Sequence, residues 1–255
     1  MVGILVFFGM IAVRTAIIGG EERVFSATAV DPPPPYLPPS ALSSIKKSQR
    51  QVAVKIPLLM GGMRVSRASG VLVDTMDKRG LVITAFHVIP QELDVVKARR
   101  ILFGDAPATL RWVLPGPDGL ALLEIDQIPE GMKAISFAEE VPLNTPTYAL
   151  ITGGYEYGGG TAIYFAPHLL FQGYVAGHAH LVRQASFETD PQPFGIEYLY
   201  LDRAARGGFS GAAFVNNSGE LVGVGALIEG GYTVIVHNTT IRDFINLWRE
   251  GSGSH

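Results

Sequence analysis

RAARGGFSGAAF, residues 203–214, places a single serine, Ser210, among glycines and alanines. Glycine next to serine is typical of flexible linkers, but apolar runs flank this stretch: EYLYLD ends just before it and ELVGVGALI follows shortly after it. Gly208-Phe209-Ser210-Gly211 therefore predicts a tight turn inside a folded domain, with small neighbours that let the serine hydroxyl project. A serine hydroxyl is a weak nucleophile unless a base removes its proton, so a reactive serine also requires a suitably placed histidine.

The chain from Gln51 to His237 consists of short apolar runs separated by Gly, Pro, Asp and Asn. The runs are rich in Val, Ile, Leu, Tyr and Phe, which favour strands. Many short strands at this spacing predict an all-β protein of the sandwich or barrel type. Residues 239–250 are the one stretch predicted to be helical, because four apolar residues recur on one face: Ile241, Phe244, Ile245 and Trp248.

Composition excludes several classes of function. The 255-residue chain contains no cysteine, which rules out disulfides, zinc thiolate sites and cysteine nucleophiles. Its net charge is −3 and it has no basic stripe, so we expect no binding to nucleic acid. His178 and His180 lie on one face of a predicted strand at the spacing of a metal pair, but no third ligand is evident nearby. We therefore expect no metal site and no cofactor.

The N-terminus carries an uncharged apolar run, VGILVFFGMIAV, at residues 2–13. It is shorter than the roughly 20 residues that span a bilayer and resembles the apolar part of a secretory signal. We expect residues 1–29 to be a signal peptide or a membrane anchor, which implies an extracytoplasmic (periplasmic, cell-surface or secreted) protein or one tethered to the membrane. The alternative is that the run is a buried strand or helix of the domain.

A proline-rich segment follows this run. DPPPPYLPPS, residues 31–40, has the composition of an extended polyproline II spacer. We expect residues 30–49 to be a linker that adds nothing to the folded domain, which then begins near Gln51. The last five residues, 251–255, are interpreted as an added tail.

A histidine and a carboxylate occur in suitable contexts before Ser210. GLVITAFHVIP places His87 at the end of an apolar strand, and PGPDGLALLEI places Asp118 just before another. Both contexts resemble trypsin-like serine proteases, whose motifs are Thr-Ala-x-His-Val and Asp-(Leu/Ile)-Ala-Leu-Leu. The order His, Asp, Ser is that of chymotrypsin.

The resemblance covers roughly residues 50–248 and is strongest to the Deg (high-temperature-requirement) branch of these proteases. ASGVLVD, before His87, is similar to a strand of that branch, and LDRAARGGFSGAAFVNNSGELVGV is similar to its nucleophile region. The resemblance implies two six-stranded Greek-key β-barrels of the chymotrypsin type, the first at residues 50–140 and the second, together with a C-terminal helix, at residues 141–250. We expect no PDZ domain.

The resemblance also implies a serine endopeptidase that cleaves polypeptide substrates through an acyl-enzyme intermediate. Ser210 corresponds to the nucleophile, His87 to the general base and Asp118 to the residue that orients the imidazole. The backbone N–H groups of Gly208 and Ser210 correspond to the oxyanion hole.

Specificity follows from the same resemblance. Ala204, six residues before the serine, corresponds to the floor of the primary pocket, and no acid occupies that position. We therefore expect a small or apolar residue before the cleaved bond. Ala226, Leu227 and Ile228 correspond to the strand that pairs with the substrate backbone.

Two alternatives remain open at this point. Asp118 lies one residue early relative to the family motif, because Gly119 intervenes, and a one-residue slip of a strand turns a side chain to the other face. Gly119 absorbs the extra residue if it forms a bulge. If it does not, the chain is a pseudoprotease that acts as a peptide-binding or scaffold module. A weaker alternative is a cell-wall-associated structural protein on a proline stalk.

Overall fold

The computed structural model describes residues 12–18, 21–27, 35–60, 63–76, 79–89, 100–103, 106–116, 118–128, 133–150, 154–157, 161–162, 170–185, 192–205 and 208–252. The strands that it describes belong to two sheets, and two α-helices accompany them. In chain order the elements are β1 (Ala12–Ile18), β2 (Glu21–Ala27), α1 (Pro39–Val52), β3 (Ala53–Met60), β4 (Met63–Met76), β5 (Arg79–Ala85), β6 (Arg100–Phe103), β7 (Ala106–Leu114), β8 (Leu120–Ile125), β9 (Pro146–Leu150), β10 (Gly154–Tyr157), β11 (Thr161–Ala162), β12 (Leu170–Ala185), β13 (Gln192–Leu201), β14 (Ala213–Val215), β15 (Leu221–Glu229), β16 (Tyr232–His237) and α2 (Asn238–Ser252).

The first sheet contains a ring of strands in the order β3-β4-β5-β8-β7-β6, and β6 lies against β3. The pairing of β5 with β8 is regular along its whole length, from Gly80 opposite Ile125 to Ala85 opposite Leu120. Every residue of β8 is buried, which explains why LALLEI is a nearly continuous apolar run without alternation. β10 and β11 extend the sheet beyond β4.

The second sheet contains a closed ring in the order β12-β13-β16-β15-β14-β9, because β9 pairs again with β12. β13 alternates between exposed and buried residues from Pro193 to Tyr198, which is the pattern of a strand with one face toward solvent. Together the two sheets confirm the prediction of an all-β protein of two barrels with a C-terminal helix. The ring strands of the two barrels lie within residues 53–125 and 146–237.

Helix α2 follows the last strand of the second sheet and contacts residues of both sheets. The predicted apolar face is buried, and the helix extends one residue before and two residues beyond the predicted range 239–250. At its start, the Asn238 amide donates hydrogen bonds to the carbonyl oxygens of Ala138 and Leu221, both at 2.8 Å. Near its end, Arg249 forms an ion pair with Asp74 of β4. The helix therefore connects the second sheet to the first.

The segment before the first barrel differs from the expected linker. Helix α1 begins at Pro39, and its Ile45 is buried in the core that also contains residues of both sheets. Tyr36, Leu37 and Leu42 pack against the same core. Proline composition predicted an extended spacer, but a few apolar side chains among the polar ones give this segment a face that the barrels bury. The expectation that residues 30–49 add nothing to the domain is therefore wrong for residues 36–45.

Strands β1 and β2 lie within the range 1–29 that the sequence assigned to a signal peptide or anchor. They pair with each other in antiparallel fashion, and β2 pairs with β12 where Ser26 lies opposite His178. Among the helices of the described residues, none is both long and apolar enough to cross a membrane. The role of residues 1–29 in export, and the extracytoplasmic location, stay predictions.

A buried carboxylate links three strands of the first barrel. Glu124 of β8 is only 4% exposed, and it accepts hydrogen bonds from Arg79 (3.0 Å) and from two nitrogens of Arg111 (3.1 and 3.2 Å). Burial raises the pKa of Glu124, but the hydrogen bonds and charges of Arg111 and Arg79 outweigh that effect and lower it. Both arginines are partly exposed, so solvent screens the pairs and their contribution to stability is modest.

We predict that Glu124→Gln lowers the free energy of unfolding by about 1–2 kcal/mol at neutral pH. The folded state lowers the pKa of this group, so its stabilisation is present above the ordinary value of 4.5 and is lost as the pH falls through the folded-state value. The difference between wild type and variant should therefore shrink in acid. Urea unfolding at several pH values measures it, with the exposed Glu139→Gln as control. A difference that grows in acid would contradict the prediction.

Candidate active site

Ser210 lies in a turn with one glycine two residues before it and another directly after it, both with positive φ. Gly208 and Gly211 have φ of +100° and +76°, in the region that side chains disfavour. The carbonyl oxygen of Phe209 accepts a hydrogen bond from the Ala212 N–H at 2.9 Å. Because the C=O and N–H of a trans peptide point in opposite directions, the Ser210 N–H points away from this bond. The Phe209–Ala212 hydrogen bond thus fixes one side of the turn, and the Ser210 N–H lies on the other side.

Ser69 of β4 fastens this turn to the first sheet. Its N–H donates to the carbonyl oxygen of Ser210 at 3.0 Å, and its hydroxyl donates to the carbonyl oxygen of Gly208 at 3.3 Å. Its own carbonyl accepts a hydrogen bond from the Thr84 hydroxyl at 2.7 Å. Both Ser69 and Thr84 are buried. A Cβ at Gly211 would collide with the Ser69 carbonyl oxygen and the Thr84 hydroxyl, so glycine is required there for space as well as for its φ.

His87 lies in a single 3₁₀ turn, Phe86–Val88, directly after β5. Its Nε2 is 2.8 Å from the Ser210 Oγ, within hydrogen-bond distance. With the ring proton on Nδ1, the serine hydroxyl donates to Nε2. The two residues come from different sheets and are 123 positions apart, so the fold brings together the histidine and serine that the sequence singled out.

Asp118 is fully buried in the turn that precedes β8. The ladder between β5 and β8 ends where Ala85 lies opposite Leu120. Just beyond it, the Phe86 N–H donates to the carbonyl oxygen of Gly119 at 2.8 Å. This hydrogen bond joins the residue before His87 to the residue after Asp118.

Gly119 lies between the turn and the strand and explains why Asp118 comes one residue early. Its N–H donates to the carbonyl oxygen of Gly116 at 3.1 Å and closes the turn, so the ladder of β8 begins only at Leu120. Any Cβ at position 119 would collide with the carbonyl oxygen of Leu114. The extra residue therefore belongs to the turn, and β8 itself shows no slip in its pairing with β5.

Ala204 is exposed and lies between Arg203 and Ala205, whose backbone groups form hydrogen bonds with Thr233 of β16. The N–H and the hydroxyl of Thr233 donate to the carbonyl oxygen of Arg203 at 2.9 and 2.7 Å, and the hydroxyl accepts a hydrogen bond from the Ala205 N–H at 2.7 Å. Thr233 is a site residue that the sequence-based prediction did not include. The available signal was a single threonine in the otherwise β-branched and aromatic run YTVIV.

The predicted substrate-pairing strand is the second half of β15. On one side it pairs with β16, where Leu227 lies opposite Val234. On the other side its ladder with β14 ends where Val224 lies opposite Ala213, before Ala226 is reached. Ala226 is buried, Leu227 is partly buried and Ile228 is exposed.

The two histidines of the possible metal pair, His178 and His180, lie on β12. His178 is partly buried, with its ring 6.2 Å from that of His237, and burial lowers its pKa. Burial also lowers the pKa of His237 to about 4. Within the described part of the chain, no group of three or more histidine, aspartate or glutamate side chains is arranged to hold a metal ion. His180 is exposed.

A family model for the trypsin-like peptidase domain matches residues 68–224, a range that contains Ser69, His87, Asp118 and Ser210. The chain belongs to this family. The predicted resemblance to trypsin-like serine proteases is thereby confirmed, whereas the assignment to the Deg branch stays a prediction. No curated protein sequence matches the chain.

Solved structures of one mycobacterial protease have the same fold as this trypsin-like peptidase. Rv3671c from M. tuberculosis H37Rv, in the inactive form of a serine-to-alanine mutant, has a TM-score of 0.56 and 18% identity, covering 89% of this chain and 99% of that chain. The active form of the Rv3671c protease has a TM-score of 0.52 and 17% identity, covering 86% of this chain and 93% of that chain. This likeness confirms the predicted fold class.

We predict that Gly211→Ala destabilises the trypsin-like domain far more than a positive φ alone would. Gly231 has a similar φ of +88° but open space around its Cα, so Gly231→Ala measures the conformational cost, about 1–2 kcal/mol. Gly211→Ala adds the collision with Ser69 and Thr84 and should cost about 2 kcal/mol more. Denaturant unfolding of both variants tests this. Equal losses would show that the turn does not press against Ser69.

Proposed function

We propose that the protein is a serine endopeptidase in which Ser210 is the nucleophile, His87 the general base and Asp118 the residue that orients the imidazole. The observation that carries the proposal is the 2.8 Å contact between the His87 Nε2 and the Ser210 Oγ in a chain of the trypsin-like peptidase family. Nucleophilic catalysis requires the base within hydrogen-bond reach of the hydroxyl, and this distance meets that requirement.

In the proposed mechanism, the Ser210 Oγ attacks the carbonyl carbon of the substrate while its proton passes to the His87 Nε2. The imidazolium then gives this proton to the leaving amine, and an acyl-enzyme remains on Ser210 until water releases it by the same sequence. The buried carboxylate of Asp118 stabilises the imidazolium and holds the ring proton on Nδ1. The hydrogen bond between Phe86 and Gly119, the chain neighbours of His87 and Asp118, supports this role.

The negative oxygen of the tetrahedral intermediate would be stabilised by the backbone N–H groups of Gly208 and Ser210. The direction of the Ser210 amide, away from the Phe209–Ala212 hydrogen bond, supports its part in this role. The positive φ of Gly208 supports a turn that aims backbone amides at one point. Such donors act best when they are fixed before the reaction, and Ser69 fixes both flanking carbonyls.

The substrates we propose are polypeptides with a small or apolar residue before the cleaved bond. Ala204 brings no charge to the pocket floor, and Thr233 uses its hydroxyl on the backbone at either side of it. The edge of β15 from Ala226 to Ile228 would pair with the extended substrate backbone, since its ladder with β14 has ended there. No cofactor enters this mechanism.

We predict that Ser210→Ala abolishes both peptide cleavage and labelling by a fluorophosphonate probe, because both require the hydroxyl oxygen. The thermal midpoint should change little, since the backbone contacts of Ser210 remain. Ser218→Ala, at an exposed turn, is the matched control and should label as wild type does. His87→Ala should lower turnover about as far as Ser210→Ala, because the pair acts as a unit. A wild-type protein that neither labels nor cleaves would favour the pseudoprotease alternative.

We also predict that Asp118→Asn lowers turnover by up to about 10⁴-fold with little effect on substrate binding, because an amide favours the wrong imidazole tautomer. Asp126→Asn, at the exposed far end of β8, is the control and should retain wild-type turnover. Steady-state kinetics on a peptide substrate measures both variants. If Asp118→Asn stays within a few-fold of wild type, another group orients His87.

A further inference from the structure

The segment before helix α1 contacts the second barrel through Tyr36 and Leu37. The ring of Tyr36 stacks on that of Tyr174, with centroids 4.5 Å apart and planes inclined by 26°. It also meets the ring of Tyr148 edge-on at 6.3 Å. The next residue, Leu37, donates its N–H to the Tyr148 hydroxyl at 3.0 Å. Tyr148 is fully buried, so this contact reaches the core of the barrel.

The Tyr36 ring also contacts Arg203, at the start of the segment that leads to the proposed pocket. The guanidinium carbon of Arg203 is 5.6 Å from the centroid of the Tyr36 ring, within the range of a cation–π contact. The preceding residue, Asp202, is joined to Tyr174 by two hydrogen bonds. The Tyr174 N–H donates to the Asp202 carboxylate at 2.8 Å, and the Asp202 N–H donates to the Tyr174 carbonyl at 3.0 Å. Tyr36 therefore contacts both Tyr174, which is hydrogen-bonded to Asp202, and Arg203, which follows Asp202 in the chain.

Thr233 of β16 forms hydrogen bonds with the same segment, residues 203–205. Its bonds to Arg203 and Ala205 fix the backbone on either side of Ala204, the proposed floor of the pocket. Ala204 is thus positioned by two anchors. The first anchor is the buried Thr233 on β16. The second is Tyr36, which contacts Tyr174 and Arg203.

The charge state of the Tyr36 phenol lets its contact with Arg203 persist at any physiological pH. Burial, and after it the charge of Asp202, raise the pKa of Tyr36 to about 12. The phenol therefore stays neutral at any physiological pH. It adds no negative charge beside Asp202, and its ring remains available to the Arg203 cation.

We infer that Tyr36 is a positioning residue for the primary specificity pocket and that residues 36–45 belong to the peptidase unit. The inference rests on the proposed function, because a pocket is meaningful only if Ser210 acts on peptides. Tyr36 acts through Arg203 and Tyr174, and the His87–Ser210 pair lies outside its contacts. Its loss should change which side chain fits before the cleaved bond more than it changes the reactivity of the serine.

The test compares Tyr36→Leu, Tyr36→Phe and Ile45→Ala in the full-length chain. Leucine keeps apolar bulk but loses the stacked ring and the cation–π contact, whereas phenylalanine keeps both. Ile45→Ala removes a buried side chain of the same segment that is absent from the contacts with Arg203. The readout is the ratio of kcat/KM for two peptides that differ only in alanine or phenylalanine before the cleaved bond. A fall in the amount of folded enzyme does not alter this ratio.

Tyr36→Leu should shift the ratio by about two- to fivefold, the size that corresponds to one cation–π contact at a partly exposed site. Tyr36→Phe should restore the wild-type ratio. Ile45→Ala should lower the thermal midpoint and leave the ratio unchanged. Fluorophosphonate labelling of each variant gives the fraction of reactive Ser210.

The outcomes separate the two claims. Active wild type with an unchanged ratio in Tyr36→Leu overturns the inference and leaves the proposed function standing. An equal shift in Ile45→Ala also overturns it, because loosening of the segment rather than the Tyr36 ring would then be the cause. Wild type that neither labels nor cleaves overturns the proposed function, and the inference falls with it.

Discussion

The position of Ser210 depends on Ser69, whose N–H and hydroxyl bind the turn of the serine and whose carbonyl accepts a hydrogen bond from Thr84 of the neighbouring strand. The strand that carries Ser69, β4, pairs with β5, and β5 ends at Ala85, two residues before His87. One corner of the first sheet thus fixes both the histidine and the turn of the serine, although the serine lies between two strands of the second sheet. Gly211 makes this contact possible, because no other residue leaves room for the Ser69 carbonyl.

Much of the fold could be predicted from the sequence because the apolar runs that end at turn residues correspond to β3, β4, β5, β8 and most strands of the second barrel. The proximity of His87 and Ser210 could be predicted because the family motifs around both residues are short, local and visible in the sequence. The position of Asp118 could not be settled in the same way. Whether Gly119 belongs to the strand or to the turn depends on its hydrogen bond to Gly116 and on the crowding at Leu114, and neither leaves a periodic signal.

Residues 36–45 could not be predicted as part of the domain because their partners are distant in the chain and their own pattern is weak. Tyr36 lies between prolines, and proline composition indicates an extended backbone without indicating what it packs against. Its hydrogen-bonded neighbour Leu37 meets Tyr148, 111 residues away. Thr233 escaped notice for a related reason: a hydroxyl in a strand has many uses, and only the fold shows that this one holds Arg203 and Ala205.

His87 and Ser210 lie 123 positions apart, and this separation has a consequence for biosynthesis. At about 5–20 residues per second, the ribosome adds Ser210 roughly 6–25 s after His87. Helix α2, whose Arg249 pairs with Asp74 at 175 positions' distance, is translated later still. The contact between the histidine and the serine therefore forms only after the late half of the chain has docked onto the early half.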